Sequence, residues 1–338
     1  MNESTLYPLF FTPIYQYRLW GGRRLTHLLD EPLPEGPVGE AWILSDRDDH
    51  ASVVNAGLYK GYTLTQLFEQ YPETVMGRLA GKFDRFPLLL KFLDAQEVLS
   101  VQVHPSDDQK EYIPKGDTGK TEAWFVIESG PKAKIYAGLT PGTTKEDLRK
   151  GLAEHKVADY IHSFTPKPGD GVFIHSGTIH TLADVVVFEV QENSDTTYRI
   201  YDWDRTDEKT GKPRELQVDK ALACIDFNLT NIDPVKPKDI ADGSVTREEY
   251  FNNEHFILWR MNTADQFTVG TKDEPRILVC TEGKGDLDFD GTKYPVKKGD
   301  VVLLPAEIGV INCIPQGRIN LLEIAIPDNT KLHIRLRK

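Results

Sequence analysis

Basic charge, sulfur and long apolar runs are all scarce in this chain of 338 residues. Lys and Arg number 40 against 52 Asp and Glu, so the formal net charge is −12. That balance disfavours a general nucleic-acid binder, which needs a basic footprint. It leaves a small anionic substrate open, because one Arg and one Lys in a pocket outweigh distant surface charge. The three cysteines, Cys224, Cys280 and Cys313, are odd in number and widely spaced. They form no CxxC pair and no disulfide ladder, so they read as small buried hydrophobes in a reducing compartment. Apolar runs such as Phe86–Leu90 and Val185–Phe188 fall far short of the ~18 residues that suggest a membrane span. Residues 1–5 lack the basic start and apolar stretch of a secretory signal, and a cytoplasmic location is expected. Hydrophobic residues at 39% and charged ones at 27% describe an ordinary globular chain. At ~150 residues per domain the length suggests two units.

Most of the sequence consists of short β-rich runs between Gly, Pro, Asp and Asn. Lys134–Gly138, Gly171–Ile174, Val185–Val190 and Asp300–Leu304 are examples, and such spacing indicates a β-sandwich or barrel. Helices are the minority. Thr63-Leu-Thr-Gln66 reads as a capping box ahead of Leu64, Leu67, Phe68 and Tyr71. Thr143-Thr-Lys-Glu146 reads as a second, followed by Leu148, Leu152, Val157 and Ile161 at helical spacing. A third short helix is expected near Val218–Ile225. The Pro-containing polar stretch 228–242 marks a boundary, dividing the chain into 1–235 and 236–338.

The two parts share an echo. Lys167-Pro-Gly-Asp170 precedes Val172-Phe-Ile174, and Lys297-Lys-Gly-Asp300 precedes Val301-Val-Leu-Leu304. If the copies are equivalent, Val310 stands where the first has His180; two unrelated strand turns are the alternative.

Leu99-Ser-Val-Gln-Val-His-Pro105 carries the most chemistry. Residues two apart on a strand share a face, so Ser100, Gln102 and His104 project together, with Leu99, Val101 and Val103 behind them. Lys120–Ile127 reads as another strand with Glu122 at its start, and Gly177-Thr-Ile-His180 enters a third. Two imidazoles, one carboxylate and one amide oxygen suit Zn²⁺ and tolerate Mn²⁺, Co²⁺ or Fe²⁺, with a position left for water or a substrate oxygen. Each histidine taken singly also fits a structural role, and His175 is a rival ligand or a rim residue. Further on, Glu189 ends an apolar run and Arg199 heads the aromatic, charged segment Tyr198–Arg205. A guanidinium beside a metal pocket can hold phosphate or an oxyanion. The alternative is a structural pairing of Arg199 with Asp202 or Asp204.

These segments, Gln102-Val-His104-Pro, Lys120-Thr-Glu122, Gly177-Thr-Ile-His180 and Ser194-Asp-Thr-Thr-Tyr-Arg199-Ile-Tyr-Asp-Trp, closely resemble the type I mannose-6-phosphate isomerases, zinc-dependent cupin enzymes, in their short bacterial form. Leu19-Trp-Gly-Gly22 and Gly39-Glu40-Ala-Trp42 resemble that family too, so the likeness spans nearly the whole chain. It implies two cupin-like jelly-roll barrels in a mainly β chain, with helical insertions in the N-terminal part: a metal-binding domain over 1–235 and a barrel without a metal site over 236–338. It implies one zinc ion per chain on Gln102, His104, Glu122 and His180, with Arg199 as the essential cation. It places Ser100, Lys120, Glu40 and Glu189 in the substrate pocket. The implied reaction interconverts D-mannose 6-phosphate and D-fructose 6-phosphate through an enediol(ate). Glu189 is the favoured base, and Glu40, Lys120 and a metal-bound water are the alternatives. Where the family commonly has Pro-Ala before Gly-Thr-x-His, this chain has His175-Ser176, which adds a stray metal-binding group. The expected partner is a phosphorylated hexose, with no nucleic acid and no membrane, for a monomer or homodimer. Two rivals remain: a non-haem Fe(II) oxygenase, which Gln102 disfavours by filling a position oxygen needs, and a non-catalytic sugar-binding cupin.

Overall fold

The computed structural model describes residues 6–242 and 245–328. The chain is mainly β, and its N-terminal part is built around two long strands. His180–Glu192 pairs antiparallel with Leu88–Ala95 on one side and Glu122–Leu139 on the other. Every residue of Leu88–Ala95 is buried, including Lys91 and Asp94. Such an all-buried strand reads as a continuous apolar run rather than an alternating one. These strands belong to a curled nine-stranded sheet that also holds Val101–Val103, Tyr198–Tyr201, Ile14–Gly22 and Val38–Leu44.

Lys120–Ile127 and Lys134–Gly138 were expected as separate strands. They join into one 18-residue strand, Glu122–Leu139. Asp184 marks the irregularity in its pairing with His180–Glu192, where the register shifts between Ala183 and Val185. Its carboxylate lies over Gly130, where a Cβ would stand 2.1 Å from Oδ1, and it accepts a hydrogen bond from Lys132 N at 2.9 Å.

The second barrel pairs an eight-stranded sheet with a four-stranded one. Met261, Leu278, Cys280 and Leu321 from the first meet Val269, Leu287, Ile311 and Cys313 from the second in one apolar core. All three cysteines are free and buried. Two jelly-roll barrels with helical additions therefore describe the fold. The N-terminal and C-terminal parts share structure. Leu9–Thr12 inserts between Val301–Leu304 and Val53–Val54, as a strand of the C-terminal sheet. The largest core likewise gathers Phe92, Phe125 and Phe188 with Phe256, Ile277, Leu303 and Ile324.

Helix Leu64–Gln70 carries the expected reciprocal box of Thr63 and Gln66, and Val218–Cys224 is helical. The other box moves by one residue. Thr144, in extended conformation, caps Lys145–Ala153 with Asp147 as its partner. The helix ends before Val157, which lies in a 3-10 turn, and Ile161 begins a strand.

The echoed turns are the same turn. In each, the Asp carboxylate accepts from the Lys N–H (2.8 Å for Asp170, 2.7 Å for Asp300) and a glycine takes φ near +90°. Gly169 donates to Val126 O and Gly299 to Cys280 O, both at 2.8 Å. Gly171–Ile174 then pairs with Glu122–Phe125, and Val301–Leu304 with Arg276–Val279.

Candidate active site

The β-ladder brings the metal-ligand candidates together. His180 opens its strand directly opposite Gln102, and Arg199 pairs with Gln102 from the other side. Ligand atoms of His104, Glu122 and His180 lie within 4.8 Å of one another, and all three residues are buried. His104 Nε2 is 3.4 Å from Glu122 Oε2, His180 Nε2 is 3.3 Å from Glu122 Oε1, and Gln102 Nε2 is 3.2 Å from His180 Nε2.

Both rings are fixed from behind. His104 Nδ1 lies 2.9 Å from Thr196 O, and His180 Nδ1 lies 2.9 Å from Thr178 O. A carbonyl can only accept, so each Nδ1 carries the proton and each Nε2 turns a lone pair inward. Burial, with Lys120 nearby, lowers the His104 pKa to about 3, and burial lowers that of His180. Burial alone would raise Glu122, but Lys120 and His104 hold it well below the usual carboxylate range. Neither Glu122 oxygen accepts a well-directed hydrogen bond, although Lys120 Nζ stands 2.8 Å from Oε2. Two neutral imidazoles facing a carboxylate with unused lone pairs form a donor set that fits a divalent ion of the zinc class. Gln102 presents its amide nitrogen here; a half-turn of the amide presents its oxygen instead.

Beside this group opens a cavity of about 390 Å³ lined by Ser100, Gln102, Lys120, Glu40, Glu189 and Arg199. His104, Glu122 and His180 do not line it, so Gln102 and Lys120 connect the cavity to the ligand group. All sequence-derived site residues thus occupy one region. Arg199 Nε donates to Ser100 Oγ at 3.1 Å. The alternative pairing fails: Asp202 is held by Arg205 and Arg214, each at 2.6 Å, and Asp204 by Tyr201 and His155.

The two carboxylates differ sharply. Glu189 is buried, with Oε1 3.0 Å from Lys91 Nζ and Oε2 accepting from Trp124 Nε1 at 2.8 Å. Burial, and then the charge of Glu122, raise its pKa. Glu40 takes two hydrogen bonds from Arg18, at 2.9 and 3.2 Å, and one from Trp42 Nε1 at 2.6 Å. Against the opposing effect of burial, Lys91 and Arg18 lower it to about 2.

Sequence reasoning missed Lys91, Arg18 and Arg214, which also line the cavity. Lys91 carried a usable signal, as a single charge inside the apolar run Leu88-Leu-Leu-Lys-Phe-Leu93. In the second barrel, register places Arg276 at the position of Glu122, and Glu323 at that of Glu189. Glu323 is buried against Arg247 and Arg276, and Val310 begins its strand with an exposed side chain.

Family models match on both sides of the proposed boundary. Residues 9–122 match "phosphomannose isomerase type I, catalytic domain", and 245–321 match "mannose-6-phosphate isomerase, cupin domain". The chain is 36% identical over 307 residues to the mannose-6-phosphate isomerase ManA of Bacillus subtilis, covering 90% of this chain and 95% of that protein. The chain belongs to the type I phosphomannose isomerase family. A mannose-6-phosphate isomerase of Streptococcus mutans is 32% identical over 306 residues, covering 89% and 93%. The crystal structure of the mannose 6-phosphate isomerase from Bacillus subtilis superposes with a TM-score of 0.85 at 32% identity, covering 94% of this chain and 99% of that one. A phosphomannose isomerase from Salmonella typhimurium, at 16% identity and a TM-score of 0.76 over 94% and 99%, shares the fold. Gln102, His104, Lys120 and Glu122 lie inside the phosphomannose isomerase catalytic-domain match, whereas His180, Glu189 and Arg199 lie outside both matches. Among the described residues no helix is long and apolar enough to cross a membrane.

Proposed function

We propose that this chain interconverts D-mannose 6-phosphate and D-fructose 6-phosphate through an enediol(ate), using one catalytic zinc ion. The observation that carries the reading is the Glu122 carboxylate. Its unused lone pairs face two neutral Nε2 atoms beside a cavity rich in cations. Gln102, through its amide oxygen, His104, Glu122 and His180 would hold the ion. When bound, it supplies Lewis-acid stabilisation of the charge that develops on the sugar oxygens.

The remaining work falls to the chain's own side chains. Isomerisation moves a proton between C2 and C1, and Glu189 is the base that the geometry favours. Its burial keeps it more basic than an ordinary carboxylate, while Lys91 and Trp124 fix its orientation. Glu40, tied to Arg18 and Trp42, is the poorer base because it is held so acidic. Arg199 offers the second positive charge for the enediolate, an electrostatic role that needs no reorganisation during the reaction. The phosphate is taken by some of Ser100, Lys120 and Arg199. We assign the protein to the cytoplasm as a monomer or homodimer.

The test is a coupled assay with mannose 6-phosphate beside elemental analysis. Chelation is expected to abolish turnover and added Zn²⁺ to restore it. Full activity in a sample verified to be metal-free refutes the mechanism.

A further inference from the structure

A second convergence of ligand-type side chains lies outside the proposed active site. Asp107, Glu192 and His255 bring one ligand atom each within 4.8 Å of one another. They come from three separate places: the loop after His104-Pro105, the end of strand His180–Glu192, and the turn Asn253–Phe256 of the C-terminal barrel. His255 Nδ1 is 3.3 Å from Glu192 Oε2, and Glu192 Oε1 accepts from Thr121 N at 2.7 Å. Asp107 Oδ1 accepts from Gly119 N at 2.7 Å. Each carboxylate is thus steadied by one backbone N–H and keeps further lone pairs for another partner.

The charge balance is unusual. Among the described residues no Lys or Arg forms an ion pair with Asp107 or Glu192; His255 is the one ion-pair partner of Glu192. Glu192 is buried, and two carboxylates converging there without a cation repel each other. A divalent ion removes this repulsion where a neutral imidazole cannot. The spacing also suits one: ligand atoms on adjacent vertices of a tetrahedron with ~2.0–2.1 Å bonds are roughly 3.3 Å apart, and the Glu192–His255 pair already stands at 3.3 Å. Asp107 is exposed and gives the ion a path from solvent.

We infer that Asp107, Glu192 and His255 form a second site for a divalent transition-metal ion, distinct from the catalytic candidate. One imidazole and two carboxylates select the zinc, cobalt or manganese class over softer ions. The site clips the loop after His104 and the end of the central strand to the C-terminal barrel.

Metal-stripped protein titrated with Zn²⁺ against a chromophoric chelator tests this. Wild type is expected to take up two equivalents. Asp107→Asn and His255→Ala, both at accessible positions, are each expected to lose the weaker equivalent, with at least a tenfold fall in its affinity, and to keep the tighter one. His180→Ala is expected to lose the tighter equivalent and keep the weaker. A single equivalent in wild type, or two undiminished equivalents in both Asp107→Asn and His255→Ala, overturns the second site. Either result leaves the proposed isomerase reaction untouched, because that reading depends on the His180 equivalent.

Discussion

Replacing Lys91 with methionine removes a buried ammonium and keeps most of its volume. In the protein Lys91 Nζ lies 3.0 Å from Glu189 and 3.9 Å from Glu40. Glu40 keeps Arg18, but Glu189 keeps only the neutral Trp124 donor and, as its cation, Lys120 at 4.0 Å. Breaking a buried pair by removing one partner costs about 3–5 kcal/mol when the remaining charge stays charged. Glu189 has a cheaper alternative, which is to take up a proton. From an ordinary carboxyl pKa of 4.5, that uptake costs about 3.4 kcal/mol at pH 7 and about 0.7 kcal/mol at pH 5, at 1.36 kcal/mol per unit. These values are ceilings on the penalty carried by Glu189. The sign follows from linkage. A carboxyl whose folded pKa is raised leaves the native state holding more protons, so stability falls as pH climbs from 4.5 toward the folded value. Wild-type Glu189 is itself raised and bears part of this penalty, so urea unfolding of both proteins from pH 5 to 7.5 should show a gap that is small at the acid end, widens toward neutrality and stays below about 3.4 kcal/mol. The variant's isomerase kcat should lie below that of wild type across this range, because a neutral carboxylic acid cannot abstract a proton. A gap independent of pH, or a variant as active as wild type, refutes the reasoning.

Arg199→Ala should lower kcat at least ~10²-fold, the scale of a lost transition-state donor. Its zinc content should be unchanged, because Arg199 meets Gln102 through the β-ladder rather than through the guanidinium; near-normal turnover leaves Arg199 structural. Glu323→Gln takes away the carboxylate shared by Arg247 and Arg276 in the second barrel. Denaturant unfolding should show a loss of about 3 kcal/mol, the low end for a buried pair, since Glu274 still holds Arg276. Steady-state kinetics should stay as in wild type, and a loss below about 1 kcal/mol contradicts the buried-pair account.

What the sequence revealed divides by range along the chain. The Thr63 box was legible because a capping box is decided within four residues. The alignment of Ser100, Gln102 and His104 followed from the two-residue period of a strand, although only Val101–Val103 is regular. Strand placement offered Glu122 and His180 as one donor set with them, and family likeness singled that set out, since nine histidines permit many. Thr143 and Thr144 are adjacent rivals for one cap, and choosing between them needs the third residue onward, where Asp147 serves as well as Glu146. Lys91 escaped because a lone charge in an apolar run shows nothing of the two carboxylates that neutralise it; both arrive from distant strands. Asp107, Glu192 and His255 were invisible for the same reason, having no shared motif and a barrel boundary between them. Lys120–Ile127 and Lys134–Gly138 read locally as two strands, and only Asp184, more than fifty residues later, marks the bulge across which they run on as one.

The insertion of Leu9–Thr12 beside Val301–Leu304 sets a timetable for biosynthesis. The two segments are separated by nearly the whole chain, and at about 5–20 residues per second roughly 15–60 s pass between their synthesis. Throughout that interval the early segment has no partner on that side, and the late sheet cannot close without it. Nascent chains therefore wait with a bare hydrogen-bonding edge, the state in which a holdase chaperone has most to protect.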